Sequence, residues 1–271
     1  MRQLGYVARV AAKKKSADPA PAKPAAKPSA AAPASSLPPD AARVRSILRV
    51  LESAIPEPYC ELDHTSPWTL LIATILSAQS NDKTINSVTP ALFAKWPTPA
   101  ALAAAPRDEV EQAVHKTGFF RNKAKSIQEC SMLLVERHGG EVPRTMEELI
   151  ELPGVARKTA NVVLGTAYRI PAGIATDTHV MRVSQKLGLT NATKPEKIEQ
   201  DLCALLPQDQ WTDGGHRILL HGRYVCLAKG PQCEQCPLNE LCPSREAEPV
   251  GSVAARAARA RRVVESRGAE E

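Results

Sequence analysis

From Ala41 onward the apolar positions recur at helical spacing, and Val44, Ile47, Leu48, Leu51 and Ile55 fall on one face of a first helix. Ser66-Pro67 reads as an N-cap followed by a first-turn proline, opening an apolar helix through Leu70, Leu71, Ile75 and Leu76. Further helices run from Asp82 toward Lys95, from Arg107 to a stop at Gly118, and from Phe120 to a stop at Gly139 and Gly140. Thr145 with Glu148 forms a capping box for a short helix ending at Leu152, just before Pro153-Gly154. The pattern continues with a helix over Ala156 to Tyr168, one capped by Asp177 and ending near Gly188, one opened by Pro195, and one leading to Cys226 that Asp213 caps. No convincing strand interrupts them. The spacing predicts an all-α protein of about ten helices.

The flanks behave differently. Residues 1–40 are rich in Ala, Pro and Lys with few large apolar side chains, so they cannot offset the entropy of ordering and read as a disordered tail. Its start carries Arg2, Arg9, Lys13, Lys14 and Lys15 without an acid and lacks the apolar stretch of a secretory signal; a basic arm and an organelle-targeting peptide both stay open. Residues 243–271 form an Ala/Arg-rich tail, either an exposed helix or a frayed end. The net charge of +6 resides in these tails, +5 in the first and +1 in the last, which leaves residues 41–242 neutral. Nucleic-acid binding by the core therefore has to come from positioned backbone donors and a local basic face. No run of 18 apolar residues is present, so no membrane partner is expected.

Four of the seven cysteines, Cys226, Cys233, Cys236 and Cys242, lie within seventeen residues in the spacing C-x6-C-x2-C-x5-C, whereas Cys60, Cys130 and Cys203 are scattered singly. Such concentration fits a metal centre in a reducing compartment better than a disulfide framework, and the isolated three fit small core residues. Four thiolates suit zinc and an iron-sulfur cluster equally. The loop between the first two ligands must bulge outward and carries Lys229, either a phosphate contact or a solvated lysine.

Residues 151–161, Glu-Leu-Pro-Gly-Val-Ala-Arg-Lys-Thr-Ala-Asn, read as a helix end, a tight glycine turn and a new helix start. A turn of this kind collects unpaired backbone N–H groups at the positive end of the helix dipole, which suits a nucleic-acid phosphate. Lys158 sits early on the second helix, where an amine held beside a phosphate can do chemistry on the adjoining sugar. A plain helix hairpin with a surface lysine is the competing interpretation.

Taken with Ala175-Thr176-Asp177-Thr178-His179 and with Leu220-His221-Gly222-Arg223-Tyr224 running into the cysteine loop, the hairpin resembles the endonuclease III family, the helix-hairpin-helix base-excision DNA glycosylases and abasic-site lyases. The resemblance covers roughly residues 41–242 and neither tail. It implies two lobes with duplex DNA and an extruded nucleotide between them: a six-helix barrel over residues 60–169, and an iron-sulfur lobe from residues 41–59 plus 170–242. It also implies a [4Fe-4S] cluster on the four cysteines, a monomer, and a cytoplasmic, nucleoid-associated bacterial enzyme.

The same resemblance places the catalytic lysine on Lys158 and the catalytic aspartate on Asp177. A neutral amine attacks C1′ of the damaged nucleotide, and a desolvated pocket or the neighbouring Arg157 would favour that neutral form. Asp177 would stabilise charge on the sugar and assist proton transfers, in addition to capping its helix. The base must leave the stack first. Gln79 and the loop Gly118-Phe119-Phe120 then supply wedges, Phe119 standing at the wedge position, with ordinary core packing expected for one of the two phenylalanines. Leu152, Gly154, Ala156, Arg157 and Lys229 complete the implied DNA contacts.

The chain departs from the family pattern at two points. Ala156 replaces the second glycine of the hairpin, which implies a negative φ there, and Ser80-Asn81-Asp82 differs from the common Ala-Thr-Asp. The implied activity is removal of oxidised pyrimidines from duplex DNA followed by β-elimination at the abasic site. The adenine-mismatch glycosylases lack a lysine at the position of Lys158, carry a carboxylate where Thr74 stands here, and add a recognition domain longer than this tail. A non-catalytic DNA-binding iron-sulfur protein and a zinc-ribbon binder also stay open.

Overall fold

The computed structural model describes residues 40–245 and 251–269, and among them every regular element is helical. The N-terminal arm, Asp40 apart, lies outside the described residues.

Helix α1 (Ala41–Ala54) starts where Asp40 accepts hydrogen bonds from the amides of Ala42 and Arg43. Helix α2 (Pro67–Ser77) opens on Ser66 and Pro67, and Ser66 and Thr69 satisfy one another's amides in a reciprocal capping box. Every residue of α2 from Trp68 to Leu76 is buried, so this helix is wrapped on all sides. Around it come α3 (Asp82–Lys95), α4 (Pro99–Ala103), α5 (Arg107–Ala113), α6 (Phe120–His138), α7 (Met146–Ile150) and α8 (Arg157–Tyr168). Their apolar faces make one core that runs from Leu62 to Leu164.

Helices α9 (Thr178–Lys186), α10 (Pro195–Leu205) and α11 (Trp211–Tyr224) join α1 and the cysteine loop in a second core. The two cores meet where α11 crosses α8 at Gly165; a Cβ there would stand 2.6 Å from Thr212 Oγ1, so only glycine lets the helices approach this closely. Cys130 is a buried member of the first core, and burial pushes its thiol up to about 12; Cys60 and Cys203 are half-buried at core edges.

The pattern misjudged three places. The helix expected from Arg107 to Gly118 stops at Ala113 and gives way to a 3-10 turn over His115–Thr117, because Val114 and Thr117 both turn inward and the Thr117 hydroxyl donates to the Val114 carbonyl. Asp213 does not cap α11. It lies in the first turn and pairs with Arg169 at 3.0 Å, while a 3-10 turn over Gln208–Gln210 leads straight into the helix.

The third place is the C-terminal tail. Within residues 243–271, Val253–Ala269 forms α12, which packs on α1 and α11 and reaches the cysteine loop. Ala257 and Ala260 are buried in the second core, and Arg256 is 1% exposed with its guanidinium 2.8 Å from Glu240. Small side chains at Ala257 and Ala260 let the helix lie close, a stripe that the surrounding arginines hide in the composition. Ala260→Asp is expected to undock α12 and lower stability by about 3 kcal/mol, read as a shift in urea midpoint. No described helix is long and apolar enough to cross a membrane.

Candidate active site at the hairpin and its flanks

Between α7 and α8 the chain turns through Gly154 at φ +81, in the left-handed region. A Cβ at Gly154 would also stand 3.0 Å from Ile75 Cγ2 and Ser126 Cβ, so the turn is pressed against α2 and α6. Ala156 follows at φ −91, an extended N-cap that alanine adopts without strain. The negative φ inferred from the missing second glycine is what the backbone has. Unlike α1, α2, α3 and α9, helix α8 has no side-chain cap, and the amides of Arg157 and Lys158 have no partner among the described residues.

Lys158 is exposed at the second position of α8, and its Nζ makes no hydrogen bond or ion pair among the described residues. The desolvating pocket expected around it is therefore not present in the protein alone. Arg157 also differs from expectation: its Nε donates to both carboxylate oxygens of Glu199 at 3.1 and 3.0 Å, a bond that raises its pKa. Its charge is tied to that acid, leaving only the outer nitrogens for a phosphate. Leu152 is buried in the first core, and its N–H and C=O are both taken, by Leu149 and Val155. It supports the turn from beneath and has no free donor to offer DNA.

Asp177 caps α9 from a half-buried position. Both of its bonds fall on one oxygen, Oδ1, which accepts from the amides of His179 at 2.9 Å and Val180 at 2.8 Å. Oδ2 has no protein partner among the described residues. Capping thus fixes the carboxylate without consuming it.

Among the described residues, Gln79, Phe119 and Arg169 are the non-glycine residues at positive φ. Arg169 is an ordinary left-handed helix C-cap. Gln79 (φ 53) is exposed after α2, and Phe119 (φ 47) stands 67% exposed before α6, so both residues read as wedges occupy strained backbone. Lys123 underpins the second loop: its buried Nζ donates to the Thr117 carbonyl at 2.6 Å while its amide donates to Phe119 O. Phe120 packs against the first core and against His115, ring centroids 4.6 Å apart, so it is the structural member of the pair.

Cys226, Cys233, Cys236 and Cys242 are all free thiols and line one cavity, together with His221. The disulfide alternative is thereby removed. Four thiols around one cavity form a donor set that suits zinc and an iron-sulfur cluster alike. Main-chain clamps hold the loop open: Arg182 donates to the carbonyls of Gly222 and Cys226, Arg43 to those of Leu187 and Leu241, and Asn239 to that of Cys233. Lys229 is exposed on the bulge, beside Gly230 at φ +64.

Residues 72–208 match the family model described as HhH-GPD superfamily base excision DNA repair protein. Endonuclease III of Synechocystis sp. is 54% identical over 76% of this chain and 94% of its own length. The chain belongs to the endonuclease III family. It is an enzyme of base-excision repair, of the DNA glycosylase and abasic-site lyase class. Endonuclease III of Bacillus subtilis is 45% identical over 69% of this chain and 85% of that protein. A solved structure of a trapped covalent intermediate of endonuclease III with DNA is 42% identical, covers 76% of this chain and 97% of that one, and superposes with a TM-score of 0.73.

Two arrangements of this endonuclease III family member escaped the sequence reading. Arg223 donates to Asp82 at 2.6 Å and to Glu61, which also accepts from the Tyr224 hydroxyl. Burial opposes the charge of Arg223, but the two carboxylates more than offset it and raise its pKa. This hub ties α11, three residues before Cys226, to the start of α3 beside the Gln79 loop. The other is Glu199. Both depend on partners far apart in sequence, and the only signal was the Arg-Tyr within the motif before Cys226.

Proposed function

We propose that this protein, acting as a monomer, removes oxidised pyrimidines from duplex DNA and cleaves the abasic site through a Schiff base on Lys158. The observation that carries the reading is an unpartnered, exposed amine on an uncapped helix start, in a fold that also keeps one oxygen of Asp177 free. The open amides of α8 and the turn at Gly154 suit a backbone phosphate, and Lys229 suits a second one. Phe119 and Gln79, already raised on strained backbone, suit the space an extruded nucleotide leaves in the stack.

Nζ of Lys158 bonds to C1′ as the bond from C1′ to the base breaks, and the base departs with the electron pair. Opening of the C1′–O4′ bond leaves a protonated Schiff base. Loss of a proton from C2′ then expels the 3′ phosphate by cleavage of C3′–O3′, and water hydrolyses the imine. Asp177, held through Oδ1, presents Oδ2 to the charge developing on the sugar and to the protons moved. Because Lys158 is exposed in the free protein, its desolvation comes from the DNA that closes over it.

The four cysteines are proposed to hold a [4Fe-4S] cluster, which supplies four iron–thiolate bonds that cross-link the loop to the second core. Duplexes bearing thymine glycol or an abasic site, incubated with borohydride, are expected to yield a covalent complex; absence of any complex with either would refute the reading. Asp177→Asn separates capping from chemistry, since asparagine caps as well as aspartate. The variant is expected to melt like wild type yet cleave about 10²- to 10⁴-fold more slowly, measured in single-turnover assays.

A further inference from the structure

The Glu199 side chain is 8% exposed and lies on α10, within the second core, yet its carboxylate reaches α8 of the first. It accepts from Arg157 Nε with both oxygens and from Asn161 Nδ2 at 2.8 Å. Those donors bracket Lys158, one residue before it and three after. On its other side the carboxylate is covered by the segment that runs to Asp177. A Cβ at Gly173 would stand 2.2 Å from Glu199 Oε1 and 2.8 Å from the Asn161 amide, so only a glycine lets that segment close down.

Resting on the function proposed above, we propose that Glu199 is a positioning residue that sets Lys158 and Asp177 in register, by gripping α8 on both sides of the lysine and seating the Gly173 segment that leads to the aspartate. The two catalytic groups come from different cores, and neither is bonded to the other by any contact in the structure. Their separation is therefore controlled by whatever joins α8 to residues 170–177. Glu199 touches both. A carboxylate suits this task better than an apolar contact, because charge-assisted bonds to a guanidinium and an amide are directional and short. Burial adds to the effect, since an unpaired acid at this depth is costly and the fold is held in the arrangement that pairs it. Arg157 is then a strut between lobes, and its identity matters through Glu199 more than through DNA.

The test uses the full-length, cluster-loaded protein and a duplex with a single abasic site. In Glu199→Gln the amide still accepts from Asn161, and Arg157, half-exposed, turns to water, so the fold persists. Arg157→Met with Glu199→Met removes both charges together and covers the case in which the single variant is unstable. Both are expected to melt like wild type and to lose about 10- to 100-fold in the single-turnover rate of borohydride-trapped complex at saturating protein, while Glu199→Gln, which leaves Arg157 in place, binds an uncleavable abasic-analogue duplex within about twofold of wild type. Gly173→Ala is expected to reproduce the rate loss. A wild-type trapping rate in the double variant overturns the proposal, as does a rate loss in Glu199→Gln matched by an equal loss of duplex affinity. Lys158→Ala, run alongside, separates the two levels: a dead Lys158 variant with an unimpaired Glu199 variant defeats only the positioning role, whereas trapping that survives without Lys158 defeats the function itself.

Discussion

Lys158→Ala protein, incubated with an abasic-site duplex and borohydride, is expected to give no covalent complex and to cleave at the uncatalysed background, a loss on the order of 10⁴-fold or more. The size follows from the role: the lysine forms the bond that every later step consumes, so no neighbour can substitute. Folding should be untouched, because the side chain is exposed and makes no hydrogen bond or ion pair among the described residues, and alanine favours a helix at least as well as lysine. Binding of an undamaged duplex should weaken only by the loss of one charge near the phosphates. A variant that keeps full base release while losing strand cleavage would move the glycosylase step to an activated water and away from the amine.

The second large effect concerns the cysteine loop. Cys236→Ser is expected to abolish the visible absorbance of the cluster and to destabilise the second core by several kcal/mol, because the loop contributes Cys236 and Leu238 to that core and has no regular structure beyond two short 3-10 turns. Thermal melting and amide exchange in α9 and α11 would register it, and the Lys229 bulge would lose its anchor at both ends. Cys130→Ser is the matched control. It buries a hydroxyl in the first core at a cost of about 1–2 kcal/mol and leaves the absorbance intact. Equal behaviour of the two variants would show that the loop folds without a metal centre.

What could be read from the chain, and what could not, follows the range of the interactions involved. Asp177 was legible as a cap because the bonds it makes are to amides two and three residues away, and Ser66-Pro67 was legible for the same reason. The hairpin was legible because Pro153-Gly154 encodes the turn locally. Helix α4 carried the analogous Thr98-Pro99 signal but spans only five residues, too few for periodicity to show. Arg157 misled because its partner lies 42 residues on, and a surface arginine beside a phosphate-binding turn looks the same in sequence as one braced on a buried acid. Leu152 misled in the opposite way: it belongs to the hairpin motif, but its place there is to fill space under the turn. The docking of helix α12 was hidden by composition, since its fully buried positions are Ala257, Ala260 and Arg256, with no large apolar residue among them to mark the inner side.

The bare start of α8 has an implication for how this protein should be engineered. Residue 156 already has the extended backbone that a serine or aspartate cap requires, and installing one would add about 1 kcal/mol of stability. On the function proposed above, an acceptor there would occupy the very amides a phosphate needs, and an aspartate would repel it as well. Selection for heat resistance alone would enrich caps at this site, and the hardiest proteins recovered would be the poorest at repair.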